Sequence, residues 1–130
     1  MGLDERAINR IIDLISKRLY ALLEDYRELE RREKEILDEL SRLEPLRGTL
    51  EYKWVTNKTG KRYWYWYLRV RERGRLRSIY IGKELPTKLF KKAQDRARAK
   101  LLQRELRRIL KEKRRIERQI HLEVAEALSV

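Results

Sequence analysis

Between Lys61 and Gly82 the chain reads KRYWYWYLRVRERGRLRSIYIG, a run in which aromatic residues and then arginines recur at every second position. Arg69, Arg71, Arg75 and Arg77 carry planar guanidinium forks, the group that binds phosphate or the O6/N7 edge of guanine through paired donors. Tyr63, Tyr65 and Tyr67 carry phenols, which hydrogen-bond phosphate or stack on a base. Lys53, Lys58, Lys61, Arg62, Arg73 and Lys83 surround them. The chemistry on offer is recognition of a polyanion, and these residues form the expected nucleic-acid-binding set.

Catalysis has no comparable constellation. His121 is the single histidine and cysteine is absent, so neither a histidine or thiolate metal site nor a Ser-His-acid array can be assembled. No glycine-rich phosphate loop precedes a helix, and the carboxylates alternate with lysines and arginines as solvated pairs do. A binding protein without cofactor or metal is the expectation.

Charge supports it. The 130 residues carry 34 Lys/Arg against 21 Asp/Glu, a net charge of +13, and a pI near 10.2 follows. Such a chain attracts polyanions by releasing their counterions. The charge is uneven: residues 1–47 hold ten bases against twelve acids, 48–85 ten against three, and 86–130 fourteen against six. Absence of cysteine and of any long apolar run predicts a cytoplasmic protein with no membrane span. The 42% charged fraction resembles that of heat-adapted proteins, although long helices share the bias.

Three segments must position the basic run. From Leu3 to Leu43, apolar residues at Ile8, Ile12, Ile15, Leu19, Leu22, Tyr26, Leu29, Ile36 and Leu40 repeat at four-and-three spacing, broken only at Glu33. Asp4 and Glu5 suit a helix start, and Pro45 with Gly48 ends it. From Pro86 a second stripe runs through Leu89, Ala93, Leu102, Leu106, Ile109, Ile116 and Ile120. An acidic helix matched with a basic one predicts an antiparallel coiled coil spanning 1–47 and 86–130, with a β head at 48–85. Leu14, Leu23, Leu37, Leu101 and Leu110 lie off the seam and predict a homodimer. Lys100, Arg104, Arg107, Arg108, Lys111, Arg115 and Arg118 make a basic stripe on the second helix, either a phosphate track or a solvated flank.

In the head, Lys58-Thr59-Gly60 and Glu72-Arg73-Gly74 both place glycine third in a three-residue loop, predicting strands near 49–56, 62–71 and 75–81. Trp54 then faces Trp64 and Leu50 faces Leu68, while Arg71 faces Arg75 and Arg69 faces Arg77. One surface collects Tyr52, Trp54, Trp64, Trp66, Val70, Leu76 and Tyr80, to be packed on Leu85, Leu89, Phe90 and Ala93. The other collects the tyrosines with all four arginines, a like-charge crowding expected only where a counter-charge arrives.

The run from Gly48 to Ile120, with its GTL start and YWYWYLRVRERGRLRSIYIGKEL centre, resembles a family of small archaeal and bacterial proteins found on genomes and plasmids, which share a tyrosine-rich strand followed by R, G and RS-YI. Many bacterial members have a cysteine-containing insertion where Asn57-Lys58-Thr59-Gly60 stands here. Residues 49–98 also resemble the arm-type DNA-binding domains of integrases, which insert a three-stranded sheet into the major groove. That resemblance implies groove-facing Arg69, Arg71, Arg75 and Arg77. The expectation is therefore an α+β, non-enzymatic protein binding duplex DNA through its sheet. The alternatives are an RNA or single-strand binder and a coiled-coil scaffold resembling prefoldin.

Overall fold

The structure is a computed structural model that describes residues 4–129, in the order α1 (Glu5–Arg42), β1 (Thr49–Thr56), β2 (Arg62–Glu72), β3 (Arg75–Gly82) and α2 (Thr87–Leu128). The class is α+β, two long helices with one antiparallel sheet ordered β1-β2-β3. Leu3 lies outside the described residues. Asp4 caps α1: its carboxylate accepts from the Ala7 amide at 2.7 Å and its carbonyl from the Ile8 amide at 3.0 Å. The carbonyl of Pro86 accepts from Leu89 and Phe90 and opens α2 in the same manner.

The chain forms two compact units, one comprising the residues up to Glu39 together with those from Gln103 onward, the other Leu40–Leu102. In the first, α1 and α2 run antiparallel, as cross-helix pairs show: Arg18 with Glu123 at 3.7 Å, Tyr26 with Glu117 at 2.7 Å, and Arg32 with Glu105 at 2.7 Å. Ile36, Ile109 and Ile116 are buried and Ile15, Leu19, Leu22 and Leu29 half-buried, which is the expected seam. It stops short of the first turns, where Ile8 and Ile12 are exposed. Arg18 already pairs with Glu123, and α2 ends at Leu128, so these isoleucines lie at or beyond the end of the facing helix.

The break at Glu33 has a partner. The Lys113 ammonium, which interrupts the α2 stripe between Ile109 and Ile116, lies 2.8 Å from the Glu33 carboxylate, and both side chains are mostly buried. Lys113 also sits 5.1 Å from the centre of the Tyr26 ring. Glu33 raises the pKa of Lys113, chiefly through the hydrogen bond. A charged pair inside an apolar seam fixes register, because any axial slip buries each charge against hydrocarbon.

In the second unit the linker after α1 is tied to α2. The Leu46 amide donates to the Lys92 carbonyl at 2.9 Å, the Glu44 amide to the buried Asp95 carboxylate at 3.0 Å, and the Arg96 guanidinium to the Gly48 carbonyl. Leu46, Ala99 and Leu102 form its buried apolar residues. Gly48 has φ of +114°, and a Cβ there would stand 2.4 Å from the Arg69 carbonyl oxygen, so only glycine lets the linker cross β2 so closely.

The β1–β2 register is the expected one: Trp54 pairs with Trp64, Tyr52 with Trp66 and Leu50 with Leu68. Asn57 enforces it. Its side-chain oxygen accepts from the Thr59 and Lys61 amides, both at 3.0 Å, and from the Thr59 hydroxyl at 2.7 Å, which closes a three-residue loop with Gly60 at φ of +82°.

The β2–β3 register differs from expectation by one residue. Glu72 pairs with Arg75, Arg71 with Leu76, Val70 with Arg77, Arg69 with Ser78 and Leu68 with Ile79. The turn is Arg73-Gly74 alone, with φ of 51° and 79°, the two left-handed residues of a type I′ hairpin. Arg71 stands where Asn57 stands in the first hairpin and has no side-chain acceptor to organise a longer loop. The shorter turn also removes the predicted Arg71–Arg75 and Arg69–Arg77 pairs and sets Glu72 3.2 Å from Arg77. An extra β3 residue between the Tyr67–Tyr80 and Trp66–Gly82 pairs forms a bulge.

Glu33→Leu and Lys113→Leu should each cost about 1–3 kcal/mol in urea unfolding by leaving the other charge unpaired, whereas the double variant recovers most of the loss. The amide of Glu44, and then Lys91, holds the Asp95 carboxyl below its usual pKa. A lowered folded-state pKa gives stabilisation that is complete above the unfolded value, about 3.9, and is lost as the pH falls through the lower folded value. The difference in melting temperature between wild type and Asp95→Asn should therefore be full at neutral pH and vanish in strong acid.

Candidate nucleic-acid interface

With that register the sheet has two faces of different character. One carries Glu51, Lys53, Val55, Tyr63, Tyr65, Tyr67, Arg69 and Arg71, as expected, but with Leu76, Ser78 and Tyr80 from β3. Arg75, Arg77 and Ile79 belong instead to the other face, beside Tyr52, Trp54, Arg62, Trp64 and Trp66. The expected face of four arginines is therefore corrected to two and two.

The tyrosine face satisfies much of its own chemistry. Tyr80 makes edge contacts with Tyr65 and Tyr67 at centroid distances of 5.4 and 5.7 Å, and Tyr63 stacks on Tyr65 at 6.3 Å. Lys53 lies 4.4 Å from the centre of the Tyr67 ring, and Arg69 pairs with Glu51 at 2.8 Å. All three predicted tyrosines are half-buried.

The tryptophan face is open as well, contrary to the expectation that its indoles pack on α2. Tyr52, Trp54 and Trp64 are 50%, 45% and 49% exposed, and Phe90, their expected partner, is 51% exposed. Only Trp66 is half-buried. The linker and α2 reach the near end of this face: Leu68 and Val70 lie against Gly48, and Leu50 lines a recess with Ala93 and Ala97. Trp54 is four residues further along β1, about 13 Å at ordinary strand rise, and stays exposed with the Arg62 guanidinium over its ring.

An open groove lies beside the β2–β3 turn, lined by Arg47, Arg69, Arg71, Arg73 and Arg96 around Leu68 and Val70. Glu72 is its one acid. Arg47 and Arg96 were absent from the sequence-derived set: one sits in the linker and the other inside a helical stripe. Arg47 adjoins the Gly48 crossing, its one local signal, and Arg96 has none. Arg96 is committed to the Gly48 carbonyl, and Arg71 approaches the Gly74 carbonyl at 3.4 Å. Among the described residues Arg47, Arg62, Arg73 and Arg75, with Lys58, Lys61 and Lys83, have no carboxylate partner. On α2, Lys100, Arg104, Arg107, Arg108, Lys111 and Arg118 are likewise exposed and without an acid, while Arg115 pairs with Glu112.

Among the described residues no group of histidine, cysteine or carboxylate side chains could hold a metal ion, and no helix is long and apolar enough to cross a membrane. Residues 26–91 match the family described as a domain of unknown function, DUF6788. No curated protein and no solved structure matches the chain.

The left-handed Arg73 supplies a test of the turn. Arg73→Asn, a residue suited to that conformation, should raise stability by up to about 1 kcal/mol in urea unfolding, the lower end of the left-handed penalty. A negative φ at this position would give no gain.

Proposed function

Within the DUF6788 family, to which this chain belongs, we propose that this member is a nucleic-acid-binding protein that acts by binding rather than by catalysis. The observation that carries the reading is the arginine groove. Arginines of the linker, β2, the turn and α2 line one concavity that holds a single acid, Glu72. Bringing like charges together costs stability in the free protein, and phosphates entering the groove relieve that cost while releasing counterions. Residues 48–85, at ten bases to three acids, concentrate the attraction around it. The unpaired cations of α2 offer further phosphate contacts.

The geometry gives less support to duplex readout. A sheet that inserts four arginines into a major groove needs them on one face, and the β2–β3 register divides them. The exposed Leu14, Leu23, Leu37, Leu101 and Leu110 support association with a second copy through the helices, which would present two heads to one polyanion. A scaffold reading does not call for an arginine-lined groove.

Binding should weaken steeply with salt. Changing Arg47 and Arg71 to Gln and Arg73 to Asn, the last to keep the turn, should shallow the slope of log K against log salt by about two to three units, at about 0.7–0.9 per phosphate contact. Fluorescence anisotropy at several salt concentrations measures it, and a salt-independent affinity would contradict the reading.

A further inference from the structure

We infer that the open tryptophan face is a stacking platform for unpaired nucleobases, which makes the ligand of the head a single strand. The inference rests on the nucleic-acid reading above and adds the class of strand. Burial is the ordinary fate of tryptophan, because so large an apolar surface gains most by leaving water. Here two of three indoles and a neighbouring tyrosine stay about half exposed at one end of one face.

These rings are held in place. Tyr52 stacks on Trp64 with centroids 5.2 Å apart and planes inclined by 23°, and meets Trp66 at 4.8 Å. Trp54 is the cross-strand partner of Trp64, and the Arg62 guanidinium lies 4.4 Å from its ring centre. Preorganised aromatics lose little freedom when a base stacks on them, and every base presents a π-face, so such a surface binds without reading sequence.

Charge complementarity commits the surface to a polyanionic occupant. Arg75, which has no carboxylate partner, shares this face across the sheet with the Glu72-paired Arg77, and Lys58 and Lys61 stand at the adjacent turn. Leu68 and Val70, which line the arginine groove, continue the face from Trp64 and Trp66 along β2. From Trp64 to Leu68 is about 13 Å at ordinary strand rise, a span a few nucleotides cover. Phosphates held by Arg47 and Arg73, which line the groove with Leu68 and Val70, thus bring following bases to the indoles. A duplex has its bases stacked inside and cannot use these rings without opening.

The test compares oligo(dT), oligo(rU), a DNA duplex and inorganic polyphosphate, a polyanion without bases, as ligands of the full chain. Trp54→Ala/Trp64→Ala should lose about ten- to a hundredfold in affinity for both single strands and nothing for polyphosphate, with most affinity kept by Trp54→Phe/Trp64→Phe. In the unaltered chain, oligo(dT) should shift the Trp54 and Trp64 indole N–H resonances and polyphosphate should not, a readout that stands if the alanine variant fails to fold. Equal effects with oligo(dT) and oligo(rU) assign the site to unpaired bases of either sugar. A preference for one assigns the sugar. Unshifted indoles, unaltered single-strand affinity in the folded alanine variant, or tighter binding to duplex would overturn the stacking platform and leave the groove reading intact. Failure of the wild type to bind any of the four would overturn the groove reading itself.

Discussion

Two consecutive left-handed residues, Arg73 and Gly74, decide what this head can recognise. A two-residue turn in which both φ angles are positive allows one pairing of the strands it joins, and side chains alternate with a period of two. Every β3 side chain up to the bulge after Tyr80 is therefore assigned to a face by that turn. Ser78 and Tyr80 go to the tyrosines; Arg75, Arg77 and Ile79 go to the indoles. A loop longer by one residue would exchange them and produce a surface of opposed arginines. The chain holds Arg73 in a conformation unfavourable to its type and gains a sheet in which Glu72 neutralises Arg77.

The sequence disclosed most of the architecture because its signals were local. Helix limits, strand limits and the first hairpin follow from apolar period, capping residues and the Asn57 side chain. The second hairpin looked equivalent because Glu72-Arg73-Gly74 and Lys58-Thr59-Gly60 both end in glycine. The difference lies one residue before the loop, where Asn57 has an acceptor and Arg71 has none. The exposure of the indoles is hidden for another reason: period two separates the faces of a sheet but does not say how far the covering element extends. Leu50 is half-buried and Trp54 exposed, although they share a strand and a face. The arginine groove was illegible for a third reason, since Arg47 and Arg96 reach it only through the crossing at Gly48.

Polar contacts within apolar surroundings recur as positioning devices in both units. In the helical unit Glu33 and Lys113 set the axial match of two seams that leucine and isoleucine alone would leave free to slide. In the other, Asp95 and Arg96 hold the Glu44 amide and the Gly48 carbonyl, and so fix where the chain leaves α1 and enters the sheet. That entry point lays Gly48 on β2 and brings Arg47 beside Arg69, Arg71 and Arg73. Cations without local acids and rings left partly exposed are then consequences of the same backbone path. The proposed ligand supplies both deficits, phosphate to the one and base to the other.

The claim on which the two faces stand is the β2–β3 pairing, and cross-strand nuclear Overhauser contacts report it directly. The expected contacts set Leu68 opposite Ile79 and Tyr67 opposite Tyr80. Contacts setting Leu68 opposite Ser78 and Arg69 opposite Arg77 would restore the four-arginine face and contradict that pairing.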